Sequence, residues 1–161
     1  TYPLPEAQLD RFMFNILISY PKQKEELEIV KSTTSISDLM VNPVLTNEDI
    51  FAYQNLLRNV PVAENVIEYA VNFVRSTRLT TNEEGPAKRW LEWGAGPRAS
   101  MYLILAAKAK AILSGKTTPD ISDVRHMLNP VLRHRIIPNF NAEADGITRD
   151  EILDKLLKSS L

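Results

Sequence analysis

Along most of the chain, apolar residues recur every three to four positions with charged residues between them, the period of a helix buried on one side. After Pro61, the spacing of Val66, Ile67, Ala70, Val71 and Val74 predicts a long helix ending near Leu79. After Pro97, Met101, Ile104, Leu105, Lys108, Ala111 and Ile112 fall in register, and Gly115 stops the run. Ser122 is placed to cap a helix through Leu132, and Thr148 a final helix carrying Ile152, Leu153, Leu156 and Leu157. Nearer the start, Thr46 to Asp49 has the form of a capping box with Asp in the reach-back position. The helix it opens is expected to bury Ile50, Tyr53, Leu56, Leu57 and Val60. Residues 22–31 read as a charged helix touching its surroundings through Leu27 and Val30, and "PEAQLDRF" (5–12) as a short helix start.

One stretch departs from the helical period. "FMFNILISY" (12–20) alternates, with Phe12, Phe14, Ile16 and Ile18 on one side, which predicts a strand ending before Pro21. A lone strand leaves its backbone N–H and C=O groups unpaired, so this one is expected to pair outside the chain. Residues 34–46 read as a linker, 80–96 as a connection and "HRIIPNFNAEADGI" (134–147) as irregular. The fold class that follows is mainly α, a helical bundle preceded by one strand. Three parts are expected: 1–20 with the strand, 21–45 as linker helix and loop, and 46–161 as the helical domain.

Composition narrows the function. The 161 residues are 44% hydrophobic and 24% charged, with a net charge of −1. That balance argues against disorder and gives no basic excess for a polyanion. The lack of cysteine excludes disulfides and thiolate metal sites and fits a reducing, cytoplasmic setting. No apolar run approaches the ~20 residues of a membrane span. The opening TYPLPEAQ has neither Met nor a signal-peptide core and reads as cut from a longer protein. His126 and His134, the two histidines, lack ligand spacing, so no metal site is expected; Glu25, Glu26, Glu83 and Glu84 read as solvated faces. No GxSxG, GxxxxGK[ST] or GxGxxG occurs, so this stretch alone lacks the parts of an enzyme.

Arginines carry the remaining chemistry. In "GAGPRAS", Pro97 suits the first helical position and Arg98 follows it, beside unpaired N–H groups and the positive end of the helix dipole. A cation there calls for an anion close by. Gly96 ends the turn that delivers it. Arg11, between Asp10 and Phe12, precedes the expected strand. The plain alternative pairs Arg11 with Asp10 or Glu6 and Arg98 with a loop carboxylate such as Glu92. "RHMLNPVLRHRIIP" (125–138) holds Arg125, Arg133 and Arg135, but without stacking aromatics or a wider basic field it does not read as a nucleic-acid surface. Arg133 and Arg135 are expected to pair with local carboxylates or face a neighbouring domain. Trp90 and Trp93 read as core or interface anchors.

"TYPLPEAQLDRFMFNILISYP" is very similar to the segment that closes the ATPase core of MoxR-type AAA+ proteins, and "GPRAS", "RHRI" and "AEADGIT" resemble landmarks of that family's helical lid. The likeness runs in order from Thr1 to about Thr148; the family often has Ser where Gly96 stands. The resemblance implies an α/β ATPase core ending in the strand segment, with the lid following. It implies ATP and Mg2+ as ligands of the full-length protein, with the Walker A and B segments before Thr1, so that this stretch alone is inactive. Arg11 matches the arginine finger acting in trans on a neighbour, and Arg98 the sensor 2 arginine, with Pro97 and Gly96 beside it as nucleotide-binding positions. It further implies a ring, expected to be hexameric, working as a chaperone-like remodelling or maturation motor, with von Willebrand A domain proteins as partners. Two other readings stay open: a magnesium-chelatase-like AAA+ subunit, and a helical protein-interaction module without a nucleotide role. A GxxxxGK[ST] upstream of Arg11 separates the last from the others.

Overall fold

The computed structural model describes residues 2–35, 42–80 and 85–159. Its elements are α1 (Glu6–Leu9), α2 (Gln23–Thr34), α3 (Asn47–Asn59), α4 (Glu64–Ser76), α5 (Pro86–Trp90), β1 (Leu91–Trp93), α6 (Pro97–Leu113), α7 (Ile121–Leu132), β2 (Ile137–Pro138), α8 (Phe140–Ala144) and α9 (Arg149–Ser159). The chain is mainly helical, as its periodicity predicts. Residues 36–41, within the expected linker, and Glu83 and Glu84 lie outside the described residues.

The core forms around α6, which packs on α7 and α4, with α9 closing against α5 and α7. Four alanines of α6, Ala99, Ala106, Ala107 and Ala111, are fully or almost fully buried, as is Leu103. Small side chains let the neighbouring helices approach closely, and Leu103, Leu128, Leu132, Ile152 and Leu156 fill the space between them. The buried face therefore differs from the expected one. Met101 is 63% exposed, and the alanines carry the contact. On α4 the prediction fares better: Val66, Ala70 and Val74 are buried together with Phe73, while Val71 lies at the surface.

Local end signals are read correctly where a single residue decides them. Thr46 Oγ1 accepts from the Asp49 N–H at 3.2 Å while the Asp49 carboxylate takes the Thr46 N–H at 2.9 Å, closing the capping box. Thr148 does the same with Glu151. Gly115 has φ +76°, and the Gly115 and Lys116 N–H groups return to Ile112 and Ala111, ending α6 in a Schellman turn. The cap of α7 is Asp120, not Ser122: its carboxylate accepts the Ser122 and Asp123 N–H groups at 2.8 and 3.1 Å. A carboxylate two residues earlier also meets the helix dipole and takes Lys116 at 2.9 Å, which the Ser122 hydroxyl cannot match.

The front of the chain departs furthest from expectation. Residues 13–22 belong to no helix or sheet; a backbone bond from the Asn15 N–H to the Pro130 carbonyl, 2.8 Å, ties them to the end of α7. Phe12, Phe14, Ile16 and Ile18 are all exposed, so the alternation is present without a sheet partner among the described residues. The two-stranded antiparallel sheet instead joins β1 to β2, inside the stretches expected to be a connection and irregular. The predicted burial on α3 also gives way: Ile50, Tyr53 and Leu56 are about half exposed, Leu57 is half-buried and Val60 alone is buried. Neither α2 nor α3 has a buried residue within its span.

Candidate functional site

The turn before α6 is built on the end of α4. Thr77, fully buried, gives its hydroxyl proton to the Val74 carbonyl at 2.6 Å and accepts the Ala95 N–H at 2.9 Å. Arg78 Nε donates to the Ala95 carbonyl at 3.0 Å. This brings the backbone of Gly94 so near Thr77 that a Cβ would stand 2.2 Å from the Thr77 carbonyl oxygen. Gly96 is the N-cap of α6, Pro97 takes the first helical position and Arg98 the second. A Cβ on Gly96 would meet nothing within 4 Å. Arg98 thus leaves a fixed turn at the positive end of a 17-residue helix, two residues after Gly96.

The anion beside Arg98 within this chain is Asp10. Arg98 Nη1 pairs with Asp10 Oδ2, and Arg135 Nε holds Asp10 Oδ1 at 3.1 Å. The two arginines differ sharply in exposure: the Arg98 side chain is 43% exposed and the Arg135 side chain 1%. Glu92, the loop carboxylate weighed as its partner, makes no such pair. Burial pushes the Arg135 pKa down, partly offset by the Asp10 carboxylate, yet a guanidinium stays charged throughout the accessible pH range.

Arg135 reaches further than one ion pair. Its guanidinium donates to the carbonyls of Asp10 at 2.8 Å, Phe12 at 2.5 Å and Met13 at 3.3 Å, and to that of Val131. Its carbon lies 5.0 Å from the centre of the Tyr102 ring, whose hydroxyl donates to the Arg11 carbonyl at 3.0 Å. His134 Nε2 meets the Phe12 carbonyl at 2.9 Å, which assigns the proton to Nε2 and leaves the buried Nδ1 without a partner among the described residues. Desolvation, the largest influence, lowers the His134 pKa against the raising effect of the Phe12 carbonyl, so the ring is neutral at pH 7. Arg133 pairs with both oxygens of Asp150, at 3.1 and 2.9 Å, and touches the Asn15 carbonyl at 3.4 Å.

Arg11 is the exception in this web. Its backbone is held, but its exposed side chain makes no hydrogen bond or ion pair among the described residues. The plain alternative, a pair with Asp10 or Glu6, is not formed among the described residues, where Asp10 is held by Arg98 and Arg135. The sequence reading brings Arg11 and Arg98 out as separate cations; the fold joins their surroundings through Asp10. Arg135, expected to pair with a local carboxylate or face a neighbouring domain, takes instead a distant carboxylate, Asp10, and the carbonyls of the front segment, 122 to 125 residues away. Arg125 is also accounted for internally, bonding the Tyr69 hydroxyl at 3.0 Å. Trp90 is an anchor as expected: its indole N–H donates to Asp145 at 2.9 Å, and Arg89 and Lys155 lie against its ring. Trp93 is exposed and lines the open clefts beside Gly94 and Gly96.

Comparison with known proteins gives the chain its family. Residues 67–156 match the AAA lid domain family. The chain is 34% identical to Chaperone MoxR1 of Mycobacterium tuberculosis, over 98% of its own length and 42% of that protein. It is 31% identical to YeaC of Bacillus subtilis, over 99% of the chain and 48% of that protein. Protein MoxR of Paracoccus denitrificans is 26% identical across 84% of the chain and 44% of that protein. A crystal structure of a candidate ATPase from Cytophaga hutchinsonii superposes with a TM-score of 0.85 and 30% identity, over 98% of this chain and 48% of that one. The chain therefore spans less than half the length of the relatives it matches. No helix among the described residues is long and apolar enough to cross a membrane.

Proposed function

The chain belongs to the AAA lid domain family, with MoxR-type kin matched along nearly its whole length, and on that premise we propose that it supplies two arginines to ATP hydrolysis in a ring of full-length subunits. Arg98 is the sensor 2 arginine, meeting the phosphates held by its own subunit, with Gly96 and Pro97 shaping the approach. Arg11 is the finger, reaching the phosphates of the neighbour. The chaperone-like role, von Willebrand A domain partners and a cytoplasmic location belong to the same proposal; the name of the Mycobacterium tuberculosis relative supports the first.

The observation that carries this reading is the contrast between the two cations. Arg98 is half-exposed at the head of α6, two residues after Gly96, and its one ion-pair partner among the described residues is a partly exposed carboxylate. Arg11 has a fixed backbone and a guanidinium without a hydrogen-bond or ion-pair partner among the described residues. These features fit phosphate: a helix N-terminus and a planar guanidinium both favour its oxygens. ATP brings a triphosphate whose transferring group is stabilised by cations placed around it. Arg98 binds and orients from its own side; Arg11 adds charge from across the interface. Asp10 keeps Arg98 paired when no phosphate is near. For Mg2+ the fit is poor here, since among the described residues no group of three or more His, Cys, Asp or Glu could hold an ion. Any ligands for it belong elsewhere in the full-length protein.

The test is to replace each arginine in the full-length protein and measure binding of a non-hydrolysable ATP analogue beside turnover. Arg98→Ala should weaken binding about 10-fold, the loss of one charged hydrogen bond of ~1.5 kcal/mol, and slow turnover as well. Arg11→Ala should leave binding nearly intact and lower kcat on the order of 10³-fold. Unchanged binding and turnover in both variants would leave the domain as a helical interaction module.

A further inference from the structure

We propose that Arg135, with Tyr102, is the positioning residue for Arg11: it fixes the backbone from Asp10 to Met13 so that the Arg11 side chain is presented across the subunit interface. This deepens the reading above and rests on it. Four consecutive carbonyls are held from the helical domain. Asp10 and Met13 give theirs to Arg135 at 2.8 and 3.3 Å, Arg11 to the Tyr102 hydroxyl at 3.0 Å, and Phe12 to both Arg135 and His134 at 2.5 and 2.9 Å. Arg135 also takes the Asp10 carboxylate, so the residue before Arg11 is bound through both its backbone and its side chain. Hydrogen bonds to the carbonyls leave the Arg11 side chain out of the fastening, and it makes no hydrogen bond or ion pair among the described residues.

The choice of side chain matters. Five donors in a rigid plane let one guanidinium serve carbonyls two and three residues apart, which a lysine's single ammonium cannot do at once. The Arg135 side chain is 1% exposed and lies against the Tyr102 ring, 5.0 Å away, so its plane is fixed by packing before it meets the segment. Tyr102 acts twice, as that support and as the donor to Arg11. Were the contact only a fastening of the chain's front to the helical domain, the cation it displays would need no such aim, and the Asn15 N–H bond to Pro130 with the Arg133 contact to Asn15 already fasten the segment.

The experiment uses the full-length protein and separates kcat from nucleotide binding. Arg135→Lys keeps the buried charge but loses the fork; Tyr102→Phe keeps the ring and removes the one hydroxyl bound to Arg11. Arg135→Lys should lower kcat on the order of 10- to 100-fold, and Tyr102→Phe about 3- to 10-fold, since small misplacement of a reacting group is costly. Binding of the ATP analogue should stay within about 2-fold of the parent in Tyr102→Phe, whose lost bond reaches only the Arg11 carbonyl; Arg135→Lys also loosens the Asp10 carboxylate shared with Arg98, so its kcat is read at saturating nucleotide. Combined with Arg11→Ala, neither should slow turnover further. Tyr102→Phe, which removes a single exposed-side hydroxyl bond, keeps the question open to test should Arg135→Lys fail to fold. If Arg11→Ala lowers kcat while both positioning variants turn over normally, this proposal is overturned and the finger reading survives. If Arg11→Ala itself leaves kcat unchanged, the finger reading falls, and this proposal falls with it.

Discussion

Gly94 and Gly96 stand two residues apart and face opposite demands. At Gly94 any side chain would collide with backbone, the Thr77 carbonyl at 2.2 Å and the Arg78 nitrogen at 2.8 Å, and backbone held by Thr77 and Arg78 cannot swing away. At Gly96 the space is open and φ is −81°, a value any residue adopts. Gly94→Ala should therefore destabilise the chain by about 2 kcal/mol or more, the scale of an overpacked core, while Gly96→Ser should stay within ~0.5 kcal/mol. Denaturant unfolding of the two variants beside the parent measures both; equal losses would refute the distinction. The sequence marks the turn but treats the two glycines alike, because the residue that separates them, Thr77, lies 17 positions before Gly94. Arg135 shows the same limit more strongly. Its chemistry is plain in "RHRI", yet its partners come from the front of the chain.

The C-terminus of α7 shows what the periodic pattern can and cannot reveal. Its last four carbonyls need partners from beyond the helix. Asn129 takes the Arg133 N–H at 3.0 Å, Pro130 the Asn15 N–H at 2.8 Å, Val131 the Arg135 guanidinium, and Leu132 the N–H groups of Arg135 and Ile136. Ends settled by neighbours in sequence, such as Thr46 with Asp49 or Gly115, are legible because the signal is local. This end is completed partly by residues three and four positions on and partly, at Pro130, by Asn15 from the front of the chain, which no local signal marks, and β1 and β2, of three and two residues, are too short to show a period. Apolar spacing on α3 marks a face without saying what covers it. His134 sits just past the α7 end, buried and neutral, with Nδ1 lacking a partner among the described residues. Its folded pKa lies below the ordinary 6.5, so the unfolded chain binds a proton that the folded chain resists. The sign follows: stability is fully present above about pH 6.5 and falls as the pH drops below it. Unfolding midpoints measured between neutral and mildly acidic pH should show that loss, and His134→Gln, which keeps a donor toward Phe12 without a proton to gain, should flatten it. A slope that survives the substitution assigns the effect to another group.

At the scale of the assembled protein, the proposal divides labour between subunits, and that division can be tested without seeing the interface. The Arg11 segment is fixed to its own helical domain by Arg135 and Tyr102, while the Arg11 side chain finds no partner among the described residues. On the proposed reading, that mounting aims the Arg11 cation at a site on the neighbouring subunit. Arg98, by contrast, heads a helix packed into its own domain and should answer to its own subunit's nucleotide. Subunits bearing Arg11→Ala but a competent nucleotide site would be mixed with subunits whose phosphate-loop lysine is replaced but whose Arg11 is intact. Each parent ring is expected to be nearly inactive. In an equal random mixture roughly a quarter of the interfaces join a competent site to an intact Arg11, so about that fraction of the full activity should return. The same mixing with Arg98→Ala in place of Arg11→Ala should restore nothing, because the neighbour cannot supply a cation that acts within the subunit. Energy transfer between labelled subunits reports whether they exchange. Free exchange with no recovered turnover would mean that Arg11 does not act on a neighbour, and full recovery from the Arg98→Ala mixture would reverse the two assignments.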